Sequence, residues 1–364
     1  MTTIDLHNPS YYINRELSHI KFNERVLNEG MNEDHPLLEQ LKYLAIFGSN
    51  MDEFFMVRVS GLKQQVLLGI TERPADGLLP REQLLAVHRE VTQLFDKAMK
   101  LWRKRIFPAL KKEGIHVLNY SDLKSGQKKK LRAYFEREIF PVLTPLVFDP
   151  GHPFPHISNL SLNLATVVLD TQANETHFAR VKVPSTLPRL VPLQPIDPDE
   201  LLTPAVQKFV WVEQVIAANL DRLFPGMEIV AAYPFRVTRN NDMDIQEEEA
   251  DDLLLTVEKN LRQRHFGSVV RLEVDETTTD EVRELLMTNL KVAQYDVYNI
   301  DGPLGLSSFW EVHRIDRPEL KDDSFKPCLP ETLESEDSIF TILRRSDVLM
   351  HHPYESFLPV VDFL

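Results

Sequence analysis

Apolar residues at helical spacing open the chain. Ser18 precedes Ile20, Val26 and Leu27, with Phe22 nearby, and Gly30 follows. A serine start and a glycine stop predict a short first helix. Pro36 opens a second helix, carried by Leu37, Leu38, Leu41, Leu44 and Ala45, since proline suits the first helical turn. Gly48 interrupts it. Asn50 comes next, with Glu53 three residues on, the spacing of a capping box. A third helix is predicted through Met51, Phe55, Val59, Leu62 and Val66, whose steps of three and four make one apolar face. A break with proline and glycine runs from Glu72 to Pro80. A long amphipathic segment then passes through Leu84, Val87, Val91, Leu94, Ala98 and Leu101. Its near-heptad spacing predicts a helix hairpin or bundle over residues 1–107. Phe95 and Trp102 read as core of that bundle, not as a cofactor platform.

The pattern changes near residue 108. Gly114 ends a helix and IHVL follows as a short strand. Runs 161–170, 177–183, 228–237, 268–274 and 292–300 are rich in β-branched and aromatic residues and predict strands. Helical patterns lie at about 126–140, 207–223, 247–263 and 278–290, so an α+β domain is expected. Prolines between Pro184 and Pro204 mark an irregular surface excursion. The acidic run Glu247–Asp252 suits a helix N-terminus better than a metal site.

Asn50 is the one candidate ligand residue. If it sits where a helix begins, free N–H groups and the positive dipole end could receive a phosphate or nucleotide. The commoner role for asparagine there is a cap, and Asp52 and Glu53 count against an anion.

Composition narrows the function classes. The 364 residues suit two or three domains, and 43% hydrophobic residues supply a sizeable core. A net charge of −14 argues against a general nucleic-acid binder. Arg103–Arg105 and Lys128–Lys130 read as solvated helix faces. A single cysteine, Cys328, excludes an internal disulfide framework and suits a reducing compartment. The N-terminus lacks a signal-peptide core, and no run reaches the ~20 apolar residues of a membrane span. A cytoplasmic location is expected.

Phosphate-cradling motifs are absent: there is no Walker A spacing and no G-x-G-x-x-G, nor an H-E-x-x-H zinc motif. His152 and His156 are separated by prolines that preclude a regular helix, so they read as structural. His351 and His352 read as packing or backbone-satisfying residues, and Asp347 has no convergent partner.

Several long segments carry a resemblance. NRELSHIKFNERVL, HPLLEQLKYLAIF, SNMDEFFMVRVSGLKQQV, HPFPHISNLSLNLA, FRVTRNNDMDIQEEEADDLL, DRPELKDDSFKP and RRSDVLMHHPYESFLPVV resemble, in order, segments of the long-form polyphosphate kinase family. His19 departs from it, standing where the family usually has tryptophan. The resemblance implies a helical N-terminal domain (1–107), an α+β head domain used in dimerisation (108–320), and the truncated start of an α/β catalytic domain (321–364). It implies reversible transfer of the ATP γ-phosphate to inorganic polyphosphate, with Mg2+, through a phosphohistidine. Of the ATP-contacting positions only Asn50 falls in this chain. The HHPY segment begins the first catalytic domain, ahead of the catalytic histidine. That histidine and the Mg2+ site are expected in segments outside the chain, so no catalytic or metal residue is assigned within it. ATP, ADP and polyphosphate are the expected small-molecule partners, with a homodimer or higher homo-oligomer through the head. The other reading is a non-catalytic module for nucleotide binding or dimerisation.

Overall fold

A computed structural model describes residues 5–148, 154–193, 206–241, 267–334 and 338–364. The helix expected at 247–263, the acidic run Glu247–Asp252, His152 and much of the proline-rich excursion lie outside them. The described chain divides into two compact units, one ending at Leu320 and one spanning Lys321–Leu364. The predicted order, helices first and then mixed α and β, is the order found.

The first unit begins with α1 (Arg15–Glu29), α2 (Leu37–Phe54), α3 (Ser60–Leu67), α4 (Pro80–Leu101) and α5 (Phe107–Lys112). The start of α1 differs from the sequence expectation. Asn14, not Ser18, is the cap, and its Oδ1 accepts from Glu16 N at 3.0 Å and Leu17 N at 2.9 Å. Asparagine caps as well as serine, but the polar pair Arg15–Glu16 conceals the first turn from a search for apolar spacing.

Gly48 does not interrupt its helix, and Asn50 does not begin a new one. Residues 37–67 are helical throughout, α2 passing into α3 by a π-helical turn at Phe55–Val59. Glycine at 48 answers a packing demand instead. A Cβ there would lie 2.5 Å from Ser307 N and 2.6 Å from Leu306 Cβ, so the loop at 306–307 docks directly on the helix backbone. The Asn50–Glu53 capping box therefore does not form.

Two sheets follow. The smaller has the order β1 (Ile115–Leu118), β6 (Gln207–Trp211), β5 (Leu190–Pro192); β1 and β6 are parallel. Its central strand corrects the helix expected over 207–223. Gln207–Trp211 is extended, and only Val212–Ala217 (α7) and a 3-10 turn at Leu220–Arg222 are helical. The apolar run Phe209–Val212 is buried on both sides, and a short continuous apolar run does not distinguish strand from helix by period.

The larger sheet has the order β2 (Pro145–Phe148), β4 (Glu175–Lys182), β3 (Leu162–Asp170), β7 (Met227–Arg239), β8 (Val269–Asp275), β9 (Val297–Ile300). All its pairs are antiparallel except β8–β9. The strand expected from 292 starts only at 297, after a 3-10 turn at Gln294–Asp296. Helix α6 (Ser125–Tyr134) precedes β2, while α8 (Asp280–Leu290) lays Val282, Leu286 and Leu290 against Val237, Leu272 and Val274. A last helix of this unit, α9 (Phe309–His313), sets Phe309 4.5 Å from Trp102. Phe95 and Trp102 are buried core, as expected.

One core joins the helices to the sheet edge, running from Ile20 and Leu41 through Phe55 and Val91 to Val270, Tyr298 and Phe309. Charge is buried within that seam. Asp52 on α2 takes Arg236 Nη1 at 2.9 Å and Nη2 at 2.6 Å, and also pairs with Arg271. Arg236 reaches Glu273 at 2.5 Å, while Thr238 Oγ1 accepts from Arg271 Nε at 3.0 Å. The Arg271 guanidinium lies 4.6 Å from the centre of the Phe55 ring. Burial alone would raise the Asp52 carboxyl, but the two guanidiniums outweigh it and hold the group below the usual carboxylate range.

In the second unit, Cys328 bridges to Glu355, and helices α10 (Ile339–Arg345) and α11 (Leu358–Phe363) approach through Phe340 and Phe363 at 5.3 Å. His352 Nδ1 lies 2.9 Å from Glu355 O, and His351 N donates to Glu355. Among the described residues no trio of His, Cys, Asp or Glu is placed to hold a metal, and no helix is long and apolar enough to cross a membrane.

Two substitutions test the seam. Gly48→Ala should lower unfolding stability by about 1–3 kcal/mol through overpacking on Leu306 and Ser307. Asp52→Ala leaves two buried guanidiniums short of an anion and should cost about 3–5 kcal/mol. Urea midpoints of both variants check this; a neutral Asp52→Ala would mean that the network does not fasten helix to sheet.

Candidate functional site

Asn50 lies mid-helix, so no free N–H group stands beside it and the helix-terminus route to an anion is closed. Its side chain nonetheless enters a cavity of about 530 Å³ between α1 and the α2–α3 helix. Arg15, Glu16 and His19 reach it from α1. Asn50, Glu53 and Phe54 reach it from α2, with Arg58 from the π turn. Asp52, two residues from Asn50 and so roughly on the opposite side of the helix, points into the sheet and is neutralised there. Its charge does not oppose an anion in the cavity.

A hydrogen-bond chain fixes the Asn50 amide. Asn50 Nδ2 donates to Asn23 Oδ1 at 2.9 Å, while Asn23 Nδ2 donates to His19 O at 3.0 Å and meets His19 Nδ1 at 3.1 Å. Asn23 is fully buried. With both of its polar atoms committed, the orientation of Asn50 follows: Nδ2 faces Asn23, and Oδ1 is left as an acceptor. Sequence reasoning missed Asn23. Its signal was a polar residue four positions after His19 and on the same face as buried Ile20 and Leu27.

His19 makes an aromatic stack. Its ring lies 5.1 Å from Phe54 at an interplanar angle of 7°. An Asn23 donor at Nδ1 places the ring proton on Nε2. Burial, and then the Arg58 charge, lower the His19 pKa, against weaker opposing pulls from Glu16 and Glu53. Arg15 meets the buried Glu16 carboxylate at 2.7 Å and Arg58 meets it at 3.5 Å. Two guanidiniums thus share the Glu16 carboxylate, and with Glu53 also lining the cavity two cations there face two carboxylates. An acceptor oxygen, a flat stacked wall and two guanidiniums suit a planar base with an amino group, whose anionic tail the guanidiniums meet. Asn50 is the sequence-predicted residue that the fold brings into this cavity; His351, His352 and Asp347 belong to the other unit.

Comparison with known proteins gives a consistent family. The family described as "Polyphosphate kinase N-terminal domain" matches residues 12–118, and "Polyphosphate kinase middle domain" matches 126–312. A protein named "Polyphosphate kinase" from Prosthecochloris aestuarii is 48% identical over 361 residues, covering 99% of this chain and 50% of that protein. "Polyphosphate kinase 1" of Chlorobaculum tepidum is 48% identical over 357 residues, 98% of this chain and 51% of its own length. The crystal structure of polyphosphate kinase from Porphyromonas gingivalis superposes with a TM-score of 0.78 at 27% identity, covering 96% of this chain and 48% of that one. The chain therefore spans about half the length of the relatives it matches.

The depressed His19 pKa has a definite pH signature. The folded state favours the neutral ring, so this contribution is complete above pH 6.5, the ordinary value. It is lost as pH falls from there through the lower folded-state value. His19→Phe keeps the stack and removes the titration. Its melting temperature should therefore decline less than that of the unmodified chain as pH drops below 6.5. Parallel melting curves against pH would remove His19 from the acid response.

Proposed function

Since the chain belongs to the polyphosphate kinase family, we propose that it is the nucleotide-binding and head portion of an enzyme moving the γ-phosphate of ATP reversibly onto inorganic polyphosphate. The observation that carries this reading is the cavity at Asn50, where an oriented amide oxygen stands beside a stacked ring and two guanidiniums. Asn50 Oδ1 accepts from the exocyclic amine of adenine. Arg15 and Arg58 stand on the side where the phosphates leave.

The chemistry proceeds in two steps. Attack by a histidine nitrogen breaks the bond from the γ-phosphorus to the β–γ bridging oxygen, forms a P–N bond and releases ADP. A terminal oxygen of the polyphosphate chain then takes the phosphoryl group, breaking P–N and forming P–O. The covalent intermediate divides one difficult transfer into two. Magnesium, when bound by segments outside this chain, would supply charge neutralisation at the phosphates. The histidine and the magnesium ligands are assigned to segments beyond this chain, since its relatives are about twice as long. Residues 108–320 are assigned to homo-oligomer contacts, and the enzyme to the cytoplasm.

A non-catalytic module for nucleotide binding or dimerisation is the second reading, and it uses the same cavity at Asn50 without phosphoryl transfer. Labelled ATP and Mg2+ give the same expectation under both readings, and product from this chain would overturn the placement of the histidine outside it. The 364-residue chain alone should give neither acid-labile protein phosphate nor polymer. In a full-length relative, the residue equivalent to Asn50, changed to alanine, should raise KM for ATP by about tenfold. The expected kcat is nearly unchanged, while the melting temperature falls modestly, because the buried Asn23 Oδ1 loses its donor. Normal ATP kinetics in that variant would return the cavity to a structural role.

A further inference from the structure

A second cleft, sharing no residue with the Asn50 cavity, has a different chemistry. Its volume is about 440 Å³, and it lies between residues 158–162, the end of β4 and the loop 304–308. No aromatic side chain lines it. Hydroxyls enter from separate stretches of chain: Ser158, Ser161, Ser185 and Ser307.

Lys182, the last residue of β4, donates from Nζ to Ser158 Oγ at 3.2 Å. Arg180 is two residues earlier and so on the same face of the strand. It is 6% exposed, and burial lowers its pKa. Its Nε donates to Asn163 Oδ1 at 2.7 Å, and Asn163 Nδ2 donates to Ser161 O at 2.9 Å and meets Ser161 Oγ at 3.1 Å. Among the described residues neither cation has a carboxylate partner. The contrast lies in the same wall: Arg236 is neutralised by Asp52 and Glu273, and Arg189 by Glu213. Glu311 is the lining carboxylate, and its Oε2 is occupied by Arg189 N at 2.8 Å and Leu190 N at 3.1 Å.

The walls are preformed. Arg189 Nη1 donates to Leu304 O at 2.6 Å and to Ser308 Oγ at 2.5 Å, which pins the loop. Leu160 and Gly305 both have left-handed backbones, φ 57° and 65°. A Cβ on Gly305 would stand 2.9 Å from Arg236 Nε, so only glycine lets the loop close on that side chain. A leucine held at positive φ marks a backbone that its surroundings over-determine.

We propose that this cleft binds a tetrahedral oxyanion of the phosphate class, with Lys182 as the charged anchor and the Ser158 and Ser185 hydroxyls as donors, since Ser161 Oγ donates to Ser158 O at 2.7 Å and Ser307 Oγ to Asp52 Oδ2 at 3.4 Å. The lack of an aromatic face disfavours a nucleobase. Free orthophosphate and a phosphate unit of a linear inorganic chain share this chemistry. The site goes beyond the nucleotide reading and does not depend on it.

The test is calorimetric titration of the chain with orthophosphate and, separately, with tripolyphosphate. Binding at about 1 mM or tighter is expected. Lys182→Met and Ser158→Ala should each weaken it, the lysine change by about tenfold or more, while Lys182→Arg retains most of it. Circular dichroism and melting temperature report whether each variant folds; Ser158→Ala carries the test if Lys182→Met does not. Tripolyphosphate binding tenfold tighter than orthophosphate, and lost in the same variants, assigns the site to a chain. Equal affinities assign it to free phosphate. No binding of either anion, or binding unchanged in folded variants, overturns the proposal.

Discussion

The buried ionic seam between Asp52, Arg236, Arg271 and Glu273 is the constraint on which the first unit depends. Two cations and two anions are removed from water together, so each is tolerable only while the others remain. The seam fixes both the rotation and the height of the α2–α3 helix against β7 and β8. Because the helix repeats every 3.6 residues, fixing Asp52 toward the sheet turns Asn50 and Phe54 toward α1. The cavity geometry is thus set from the far side of the helix. Arg271 over Phe55 adds a direct link from the charge cluster to the π turn. Arg58, one turn past Phe54, owes its place at the cavity rim to the same turn.

The glycine at 48 belongs to this arrangement. Loop 306–307 can reach the helix only where no side chain intervenes, and it brings Ser307 Oγ to 3.4 Å from Asp52 Oδ2. The same loop continues into the serine-lined cleft, whose far wall is Arg236. One guanidinium therefore takes part in two structures: the charged seam through its Nη atoms and the cleft through Nε, which donates to Leu160 O at 3.2 Å. A change at Arg236 would disturb both.

How much of this was legible in the sequence depends on the range of the cause. Local causes were readable: the amphipathic stripe of α4, the glycine after α5, and the β-branched runs of β3, β7 and β8. Causes at long range were not. Gly48 reads as a helix stop until a loop more than 250 residues away is seen resting on it. Asn50 reads as a cap for the same reason, since a false interruption creates a false beginning. Asp52 reads as an electrostatic objection to an anion, whereas its countercharges lie at Arg236 and Arg271. The strand at 207–211 was hidden because burial on both faces erases alternation. The seven segments that resemble one family were legible because order and length carry information that single residues lack. Asn23, which orients Asn50, belongs to one of those segments but shows no chemistry until its partners are visible.

The π turn at Phe55–Val59 makes the long helix a calibrated spacer. Deleting one residue from the α-helical stretch between that turn and Lys63 would leave a hydrogen-bonded helix, yet rotate everything beyond it by about 100°. Lys63, which now meets Asp296 at 2.7 Å and Val269 O at 3.2 Å, would swing away from both. Asp52, on the near side, would keep its partners. The number of residues between those two anchors is therefore part of the specification. Evolution can exchange side chains along this stretch far more readily than it can change its length.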